Sequence, residues 1–200
     1  MPEEHDILEE ILKFFSDKFE AKVNNRGFKY AQYKKSWLNE LGLNENSQDE
    51  AKTAQTIKKL QERLIKKFGD KRVKIEARVA ENMKLRFEAD EDFGEFEIDT
   101  TKLMAFDILD LKTGSAFEIS LADAYAEFFK DILKGLLDSR VKKLYFCMRN
   151  HSYRMTKGGS SGKSGYIKVA SSPMVRQYIS LARLYKLEIV LVDIFPNCNK

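Results

Sequence analysis

A run of eighteen residues, from Met104 to Leu121, most strongly constrains how this chain folds. The run reads MAFDILDLKTGSAFEISL and holds two apolar stretches on either side of a Thr113-Gly114 pair. Apolar stretches of this length, bounded by a turn signal, are typical of a hairpin in a buried sheet. Glycine can adopt the positive φ that a two-residue turn needs. The run therefore predicts a β-hairpin against which the other elements pack.

The predicted hairpin carries acidic residues among its apolar ones. With the turn centred on the Thr-Gly pair, the facing residues are Asp107 and Ser120, Leu109 and Glu118, and Asp110 and Phe117. Because side chains alternate between the two faces of a strand, Asp107, Glu118 and Ser120 share one face. Two neighbouring carboxylates are costly in an apolar sheet unless a cation neutralises them. A divalent ion at Asp107 and Glu118 would do so.

Length and composition limit the classes to which the chain can belong. Its 200 residues, 43% of them hydrophobic, can bury one core, which predicts one domain with an appendage. No apolar run approaches the roughly 20 residues that span a bilayer, and the acidic start, MPEEHDILEE, is unlike a signal peptide. The two cysteines, Cys147 and Cys198, suggest neither a disulfide framework nor a zinc site. We therefore expect a cytoplasmic protein with no membrane partner.

Charge is unevenly distributed along the chain. Seven acidic residues and no basic one lie between Glu88 and Asp99, as expected of a solvated hairpin tip or a cation site. Ten Lys or Arg lie between Lys130 and Lys168, against two Asp. Such a basic segment suits a polyanion, and an ordinary solvated face is the alternative.

The first 70 residues are predicted to form a helical region used for recognition or dimerisation. A first helix spans residues 3–20, and a capping box at Ser47-Gln-Asp-Glu50 opens a third that ends at Gly69. A second helix between them has an aromatic inner side, formed by Tyr30, Tyr33, Trp37, Leu38 and Leu41. Aromatic residues at this spacing belong to a core or stack on bases, and the core is the more common case. The third helix also has a basic side, formed by Lys58, Lys59, Arg63, Lys66 and Lys67, which is either a phosphate-facing or an ordinary exposed surface.

Residues 71–200 are predicted to form an α/β core. Polar and apolar residues alternate from Lys71 through Ile98, which indicates antiparallel strands with one solvated face. After the hairpin come a helix over 123–139, a strand over 144–148, a helix from Ser172 and a strand over 187–195. Helix and strand in alternation imply parallel crossovers. The fold class predicted is α/β (α+β), with a central mixed β-sheet flanked by helices.

The basic segment contains a glycine-rich loop, GGSSGKSG, at residues 158–165. A phosphate-binding loop needs a glycine five positions before its Gly-Lys pair, and Lys157 occupies that position. We therefore reject a nucleotide-binding loop. A mobile basic loop that orders on a nucleic acid backbone fits the composition better.

The order of these parts resembles the PD-(D/E)XK superfamily, the restriction-endonuclease-like nucleases. The resemblance covers about residues 72–195. It rests on Phe106-Asp107, on Glu118-Ile119-Ser120, on the helix over 124–137 and on the strand ending at Met148-Arg149. Phe106 stands where the family motif has proline, and Ser120 stands where it has lysine. The resemblance implies a restriction-endonuclease-like fold.

The resemblance also implies Mg²⁺-dependent hydrolysis of phosphodiester bonds, with Mn²⁺ as a substitute. Asp107 and Glu118 would hold the metal, and Ser120 would occupy the place of the motif lysine. Lys130, on the following helix, could supply the missing ammonium, and Lys134 could do so less readily. Additional carboxylates could come from Glu127 and, more weakly, from Glu76.

The expected substrate is double-stranded DNA, and the expected assembly is a homodimer. Within this resemblance, a type II restriction endonuclease fits best. The basic segment would contact DNA backbone or bases through Arg149, His151, Arg154, Lys157 and Lys163. The alternative is a catalytically degenerate module on the same fold that binds nucleic acid or mediates assembly without cleavage.

Overall fold

The computed structural model of the chain describes residues 5–23, 25, 29–79, 83–89, 92–98, 104–120, 125–148, 154–155, 161–162 and 172–194. Over these residues the chain is α+β, with a five-stranded mixed sheet flanked by helices. The predicted fold class is confirmed at this level. None of the described helices is long and apolar enough to cross a membrane.

The described elements alternate along the chain as follows. The helices are α1 (Asp6–Lys18), α2 (Lys35–Glu40), α3 (Asp49–Phe68), α4 (Tyr125–Leu137) and α5 (Pro173–Leu184). The strands of the first half are β1 (Phe19–Val23), β2 (Lys29–Tyr33), β3 (Val73–Arg78), β4 (Met83–Ala89) and β5 (Asp92–Ile98). Those of the second half are β6 (Ala105–Asp110), β7 (Ser115–Ser120), β8 (Lys143–Met148), β9 (Arg154–Met155), β10 (Ser161–Gly162) and β11 (Glu188–Asp193).

The five-stranded sheet has the strand order β11-β8-β7-β6-β3. Its β3-β6 and β6-β7 pairs are antiparallel, whereas its β7-β8 and β8-β11 pairs are parallel. Parallel neighbours need a crossover connection, which α4 supplies between β7 and β8 and α5 between β8 and β11. The predicted mixed sheet and its parallel crossovers are both confirmed. β4 and β5 pair only with each other among the described strands and form a separate antiparallel hairpin.

The central hairpin forms where the sequence predicts it, but its turn is wider than predicted. Asp110 pairs with Ser115, so four residues form the loop instead of two. The predicted facing pairs Leu109–Glu118 and Asp110–Phe117 are therefore wrong. The pairing is shifted by two positions, and this register brings Asp107 level with Glu118 instead of Ser120. A shift of two does not by itself move a side chain to the other face, so this error does not separate Asp107 from Glu118.

The Asp110 side chain explains the wider turn. Its carboxylate accepts hydrogen bonds from the Lys112 N–H and the Thr113 hydroxyl, both at 3.0 Å. The Gly114 N–H donates to the Asp110 carbonyl at 2.9 Å, and Gly114 has a φ of +69°, as the turn prediction requires. An aspartate that binds the backbone two residues ahead stabilises a turn of its own, which the two-residue interpretation did not include.

The N-terminal region contains a hairpin that the sequence analysis interpreted as a helix. β1 and β2 are antiparallel, with Phe19 opposite Tyr33 and their ring centroids 4.1 Å apart. Of the predicted second helix only Lys35–Glu40 is helical, although Trp37 and Leu38 are buried as predicted. Tyrosines favour strands as well as helix cores, so their spacing alone could not distinguish the two.

The third predicted helix is confirmed as α3, but its predicted cap is wrong. The Ser47 hydroxyl accepts the Asn44 N–H at 3.0 Å instead of capping the helix, and Gln48 precedes the first helical residue. The helix ends at Gly69, which has a φ of +83°. The end is therefore the one that the sequence predicts, because only glycine adopts this conformation without strain.

Each face of the five-stranded sheet carries its own hydrophobic core. On one face α1 and α3 pack on the sheet, through residues that include Ile11, Phe15, Leu60, Leu64, Ile108, Phe117 and Tyr145. On the other face α4 and α5 pack on it, through residues that include Phe128, Ile132, Val175, Phe106, Ala116 and Phe146. The helices of the predicted N-terminal region therefore share a core with the sheet. The predicted division of the chain into 1–70 and 71–200 stays a prediction.

Candidate active site

Regular strand pairing is interrupted in the middle of β6, at Asp107. β3 and β6 pair from Val73 to Arg78, but Glu76 and Asp107, which face each other in this register, form no pair. Glu76 has a φ of +45°, in the left-handed region that a non-glycine residue rarely adopts. Strained residues of this kind persist only where surrounding structure holds them, and they concentrate at functional sites.

The interruption changes which face of the sheet the side chains occupy. In a regular strand, residues two apart lie on the same face. Here Ile75 packs in the core beneath α1 and α3, whereas Ala77 packs in the opposite core. The same change occurs in β6 between Phe106 and Ile108. Both strands therefore reverse their faces at the level of Asp107.

Side chains complete the hydrogen bonding that the interrupted strands leave open. Gln61 of α3 donates to the Asp107 carbonyl oxygen at 3.1 Å. The Asp107 carboxylate accepts the backbone N–H of Ile119, on β7, at 2.8 Å. Lys134 of α4 donates to the carbonyl oxygen of Ala105 at 2.8 Å. Side chains from helices on both faces of the sheet thus stabilise the irregular conformation of β6. They supply hydrogen-bond partners that buried backbone groups nearly always have and that the interrupted strand pairing does not provide.

A buried ion cluster lies beside this interruption. The Lys134 ammonium is 2.5 Å from Glu118 Oε1 and 2.7 Å from Asp131 Oδ1. Glu118, Asp131 and Lys134 are only 5, 6 and 3% exposed. Charges this deeply buried are tolerated only when they are paired, and here one ammonium contacts two carboxylates.

The cluster holds more negative than positive charge, and this perturbs its acids. Burial raises the pKa of Glu118 well above its usual range, and the charges of Asp131 and Asp107 raise it further. Burial also raises the pKa of Asp107, against the lowering effects of the Ile119 N–H and Lys134. The pKa of Asp131 is raised for the same first reason. Perturbed carboxyl groups gathered in one place are a recognised sign of a functional site.

Lys134 stays protonated within this cluster. Burial alone would lower the pKa of its ammonium, but the charges of Glu118 and Asp131 outweigh burial and raise it. The ammonium also lies 5.6 Å from the centre of the Phe106 ring, close enough for a cation–π contact. The residue that stands in place of the motif proline therefore covers the ammonium with an aromatic surface.

The other predicted site residues lie around this cluster. Ser120 is half-buried at the end of β7, level with Met148 of β8. Lys130 is exposed on α4, where its charge lowers the pKa values of Asp107 and Asp131. Glu76 is exposed, and its charge raises the pKa of Asp107. The structure thus places Lys134 against the carboxylates, although the sequence analysis ranked Lys130 above it.

Most of the predicted nucleic-acid contacts lie outside the described residues. Arg149, His151, Lys157 and Lys163 are among them, and for Arg154 only the backbone, in β9, is described. The side chain of Glu127 and those of the acidic stretch over 88–99 are likewise not described. On the basic side of α3, Arg63 and Lys67 bind the buried carboxylate of Glu10 in α1, and Lys59 pairs with Glu62. That side is therefore partly committed to packing.

Two residues of the site were missed from the sequence. Asp131 lies three positions before Lys134 on α4, a spacing that aligns opposite charges on one helix face and could have identified the pair. Gln61 gave no such signal, because its contact with Asp107 joins residues 46 positions apart. A long-range contact from a side chain to a backbone carbonyl has no local sequence pattern.

The donor set at Asp107 and Glu118 suits a hard divalent cation. Mg²⁺ binds oxygen ligands and commonly uses one or two carboxylates, completing its shell with water and phosphate. The Ile119 bond engages one oxygen of Asp107, and Lys134 engages one oxygen of Glu118. Burial raises the pKa values of both acids, and a cation placed between them would favour their ionised forms. Across the described part of the chain, no group of three or more His, Cys, Asp or Glu side chains is arranged to hold a metal ion.

Comparison with known proteins adds no assignment to this geometry. No family model, no curated protein and no solved structure matches the chain.

Proposed function

We propose that this chain is a metal-dependent endonuclease that hydrolyses phosphodiester bonds in DNA, on a restriction-endonuclease-like fold. The observation that carries the proposal is the cluster of buried carboxyl groups with raised pKa values beside the interruption in β6, with a lysine in contact with two of them. Acidic residues on two adjacent strands, followed by a helix and a parallel strand, are the arrangement that the PD-(D/E)XK resemblance implies. A type II restriction endonuclease is the specific form that we favour.

Asp107 and Glu118 are the proposed ligands of Mg²⁺, for which Mn²⁺ could substitute. The bound ion would neutralise both carboxylates, polarise the scissile phosphate and lower the pKa of the attacking water. The bond from the Ile119 N–H fixes the orientation of the Asp107 carboxylate before any ion binds. Such pre-organisation supports a catalytic use, since a ligand held in place loses less entropy on binding.

Ser120 stands at the position of the motif lysine, and Lys134 is the residue that we propose supplies the ammonium instead. Its ammonium reaches Glu118 from α4 instead of from β7, and Asp131 and the Ala105 carbonyl hold it in position. A fixed ammonium beside a carboxylate ligand can orient a phosphate oxygen and stabilise negative charge that develops during hydrolysis. Lys130, exposed one turn earlier, is then better suited to contact the substrate backbone.

DNA binding is assigned to the basic segment downstream of the site. Arg149 and His151 follow β8 directly, and Arg154, Lys157 and Lys163 come within the next fourteen residues. Because β8 runs parallel to β7, its carboxyl end lies at the same edge of the sheet as Ser120. Positive residues that follow this edge would bring a phosphate backbone towards the carboxylates.

The experiment that tests this function is cleavage of supercoiled plasmid DNA with Mg²⁺, with Mn²⁺ and with EDTA. We expect cutting with either ion and none with EDTA. Asp107→Ala and Glu118→Ala should each abolish cutting, whereas Glu62→Gln, an exposed acid paired with Lys59, should cut normally. Crystals soaked in Mn²⁺ should show density between Asp107 and Glu118. Density confined to the acidic stretch over 88–99 would refute the site.

The second candidate is a degenerate nuclease fold that binds nucleic acid or mediates assembly without cleaving. The full engagement of the Lys134 ammonium by Glu118, Asp131 and Ala105 favours it, because a closed ion cluster is also what a purely structural role would retain. If the wild type binds DNA but cleaves none of the tested DNA or RNA substrates, the degenerate nuclease fold is the correct function and the endonuclease is excluded.

A further inference from the structure

The outer side of α5 carries a stripe of exposed apolar side chains. Met174, Tyr178, Leu181 and Tyr185 are 52, 40, 43 and 70% exposed. They are spaced four, three and four positions apart, which aligns them along one side of α5 as extended by Tyr185, the residue that directly follows it. Leu184, beside them, is 79% exposed. We refer to Met174, Tyr178, Leu181 and Tyr185 as the α5 stripe.

The stripe continues onto the neighbouring helix α4. The ring of Phe129 on α4 lies 4.6 Å from the ring of Tyr178 on α5. Leu133, one turn further along α4, is 40% exposed. The exposed apolar residues of the two helices thus form one patch on the α4–α5 side of the sheet.

The patch is large enough to form a stable interface. A fully exposed large side chain presents about 200 Å² of surface. With their exposed fractions, the four residues of the α5 stripe, Leu184 and Leu133 together present roughly 650 Å² of largely apolar surface to water. The largest apolar patch of a typical monomer is about 300–600 Å², and each partner of a standard protein interface buries about 800 Å². Two copies joined through this patch would bury roughly 1,300 Å² in total, at the lower end of the range of about 1,200–2,000 Å² for stable interfaces.

We propose that the α5 stripe is the interface through which two copies of this chain associate, with α5 antiparallel to α5 of the second copy. A two-fold axis that passes between positions 179 and 180 brings Met174 against Tyr185 of the partner subunit. The same axis brings Tyr178 against Leu181 of the partner subunit. Both pairs are favourable, since a thioether packs well on an aromatic ring and a tyrosine ring packs well on leucine. The stripe is thus complementary to itself, as a two-fold interface requires.

The charges of α5 are compatible with this arrangement. Arg176 and Arg183 are exposed, and the helical repeat places both roughly half a turn around the helix from the stripe. They therefore point away from the proposed interface, where like charges would repel. The stripe itself contains no charged residue, so it is built for an apolar partner surface and not for nucleic acid.

The first test is the molecular mass of the whole chain by light scattering and sedimentation, over a range of concentrations. We expect a dimer for the wild type and a monomer for Leu181→Glu/Tyr185→Glu, with at least a tenfold weaker association. Val23→Glu is the matched control, because Val23 is an equally exposed apolar residue far from the stripe in sequence, on β1. It should leave the dimer intact. A monomeric wild type, or a dimer that survives the double substitution, would overturn the proposal.

A second test fixes the orientation and does not depend on how the glutamate variant folds. In a Cys198→Ser background, Met174→Cys and Tyr185→Cys proteins are mixed and oxidised. An antiparallel pair joins the two variants by a disulfide, whereas residues 174 of both copies would be about 16 Å apart, too far to bridge. Cys147 is buried and does not interfere. Cross-linking of Met174→Cys with itself, or none in the mixture, would contradict the antiparallel interface. Neither result depends on whether the protein cuts DNA.

Discussion

Replacing Lys134 with methionine tests whether the buried ion cluster is organised as the structure indicates. Methionine keeps the unbranched apolar stem of lysine but removes the ammonium that contacts Glu118 and Asp131 at 2.5 and 2.7 Å. Removing one partner of a buried ion pair costs about 3–5 kcal/mol, because the remaining charge is left uncompensated. We therefore expect the free energy of unfolding at pH 8 to fall by about 3–5 kcal/mol.

The loss should shrink at acid pH. Burial raises the pKa values of Glu118 and Asp131 in the wild type and Lys134 lowers them, so without Lys134 both carboxyls bind a proton more tightly in the folded variant than in the folded wild type. Lowering the pH through the higher pKa values of the variant therefore narrows the difference in stability, by about 1.4 kcal/mol per pH unit for each carboxyl that takes up a proton in the variant alone. In the wild type the raised pKa of Lys134 keeps its contribution constant over this range, since that contribution is lost only at alkaline pH. The variant should thus recover most of its deficit by pH 5.

Urea denaturation of the wild type and the variant at pH 8 and pH 5 measures both effects. Lys130→Met is the matched control, since it removes an exposed ammonium from the same helix, and its effect should stay within about 0.5 kcal/mol at both pH values. A Lys134→Met variant within about 1 kcal/mol of the wild type at pH 8 would refute the reasoning, since buried pairs broken on one side cost more. So would a deficit of equal size at both pH values.

Three further predictions concern stability and metal binding. Gly114→Ala should lower the free energy of unfolding by at least about 1 kcal/mol more than Gly42→Ala does. The φ values of Gly114 and Gly42 are nearly equal, at +69° and +70°, but a Cβ at Gly114 would lie 2.7 Å from the backbone oxygen of Arg140, whereas a Cβ at Gly42 would meet nothing within 4 Å. Glu10→Gln should lower the free energy of unfolding by about 1 kcal/mol at pH 7. Burial raises the pKa of Glu10, but Lys67 and Arg63 outweigh burial and lower it, so the stabilisation by the ionised carboxylate is lost as the pH falls through that pKa. Urea denaturation should therefore show no difference between the variant and the wild type in acid. Mn²⁺ affinity, measured by calorimetry, should rise from pH 5 to pH 8, because the raised pKa values of Asp107 and Glu118 make protons compete for the ligands; a flat profile would place the ion elsewhere.

The sheet could be predicted from the sequence because its signals are local. The alternation in β3, the apolar runs of β6, β7 and β8, and the helix-strand-helix-strand order each follow from short-range periodicity. The proximity of Asp107 and Glu118 was also predictable, since the predicted hairpin places both on one face of adjacent strands. Their position directly opposite each other was not, because it depends on the four-residue turn that the Asp110 side chain closes. The reversal of faces at Asp107 was not predictable either, because regular alternation does not include it.

The parts that sequence reasoning missed depend on long-range contacts. β2 becomes a strand because β1 is available to pair with it, which no property of residues 29–33 alone dictates. Lys134 rather than Lys130 reaches Glu118 because of how α4 sits on the sheet. A shift of α4 along its axis by about one turn would exchange the two lysines, and sequence periodicity does not fix a helix position that finely.

The cost of the ion cluster is itself an argument about its purpose. Three acids and one lysine near the interrupted centre of a sheet are less stabilising than apolar side chains of the same volume would be, because desolvation offsets most of their attraction. The chain also holds Glu76 in a strained conformation at the same level of the sheet, opposite Asp107. Strain and excess charge at one point, within a sheet that is otherwise regular and well packed, are costs to stability. They favour a site that is organised for a cation and an anionic substrate, where the excess negative charge and the adjacent ammonium both have a use.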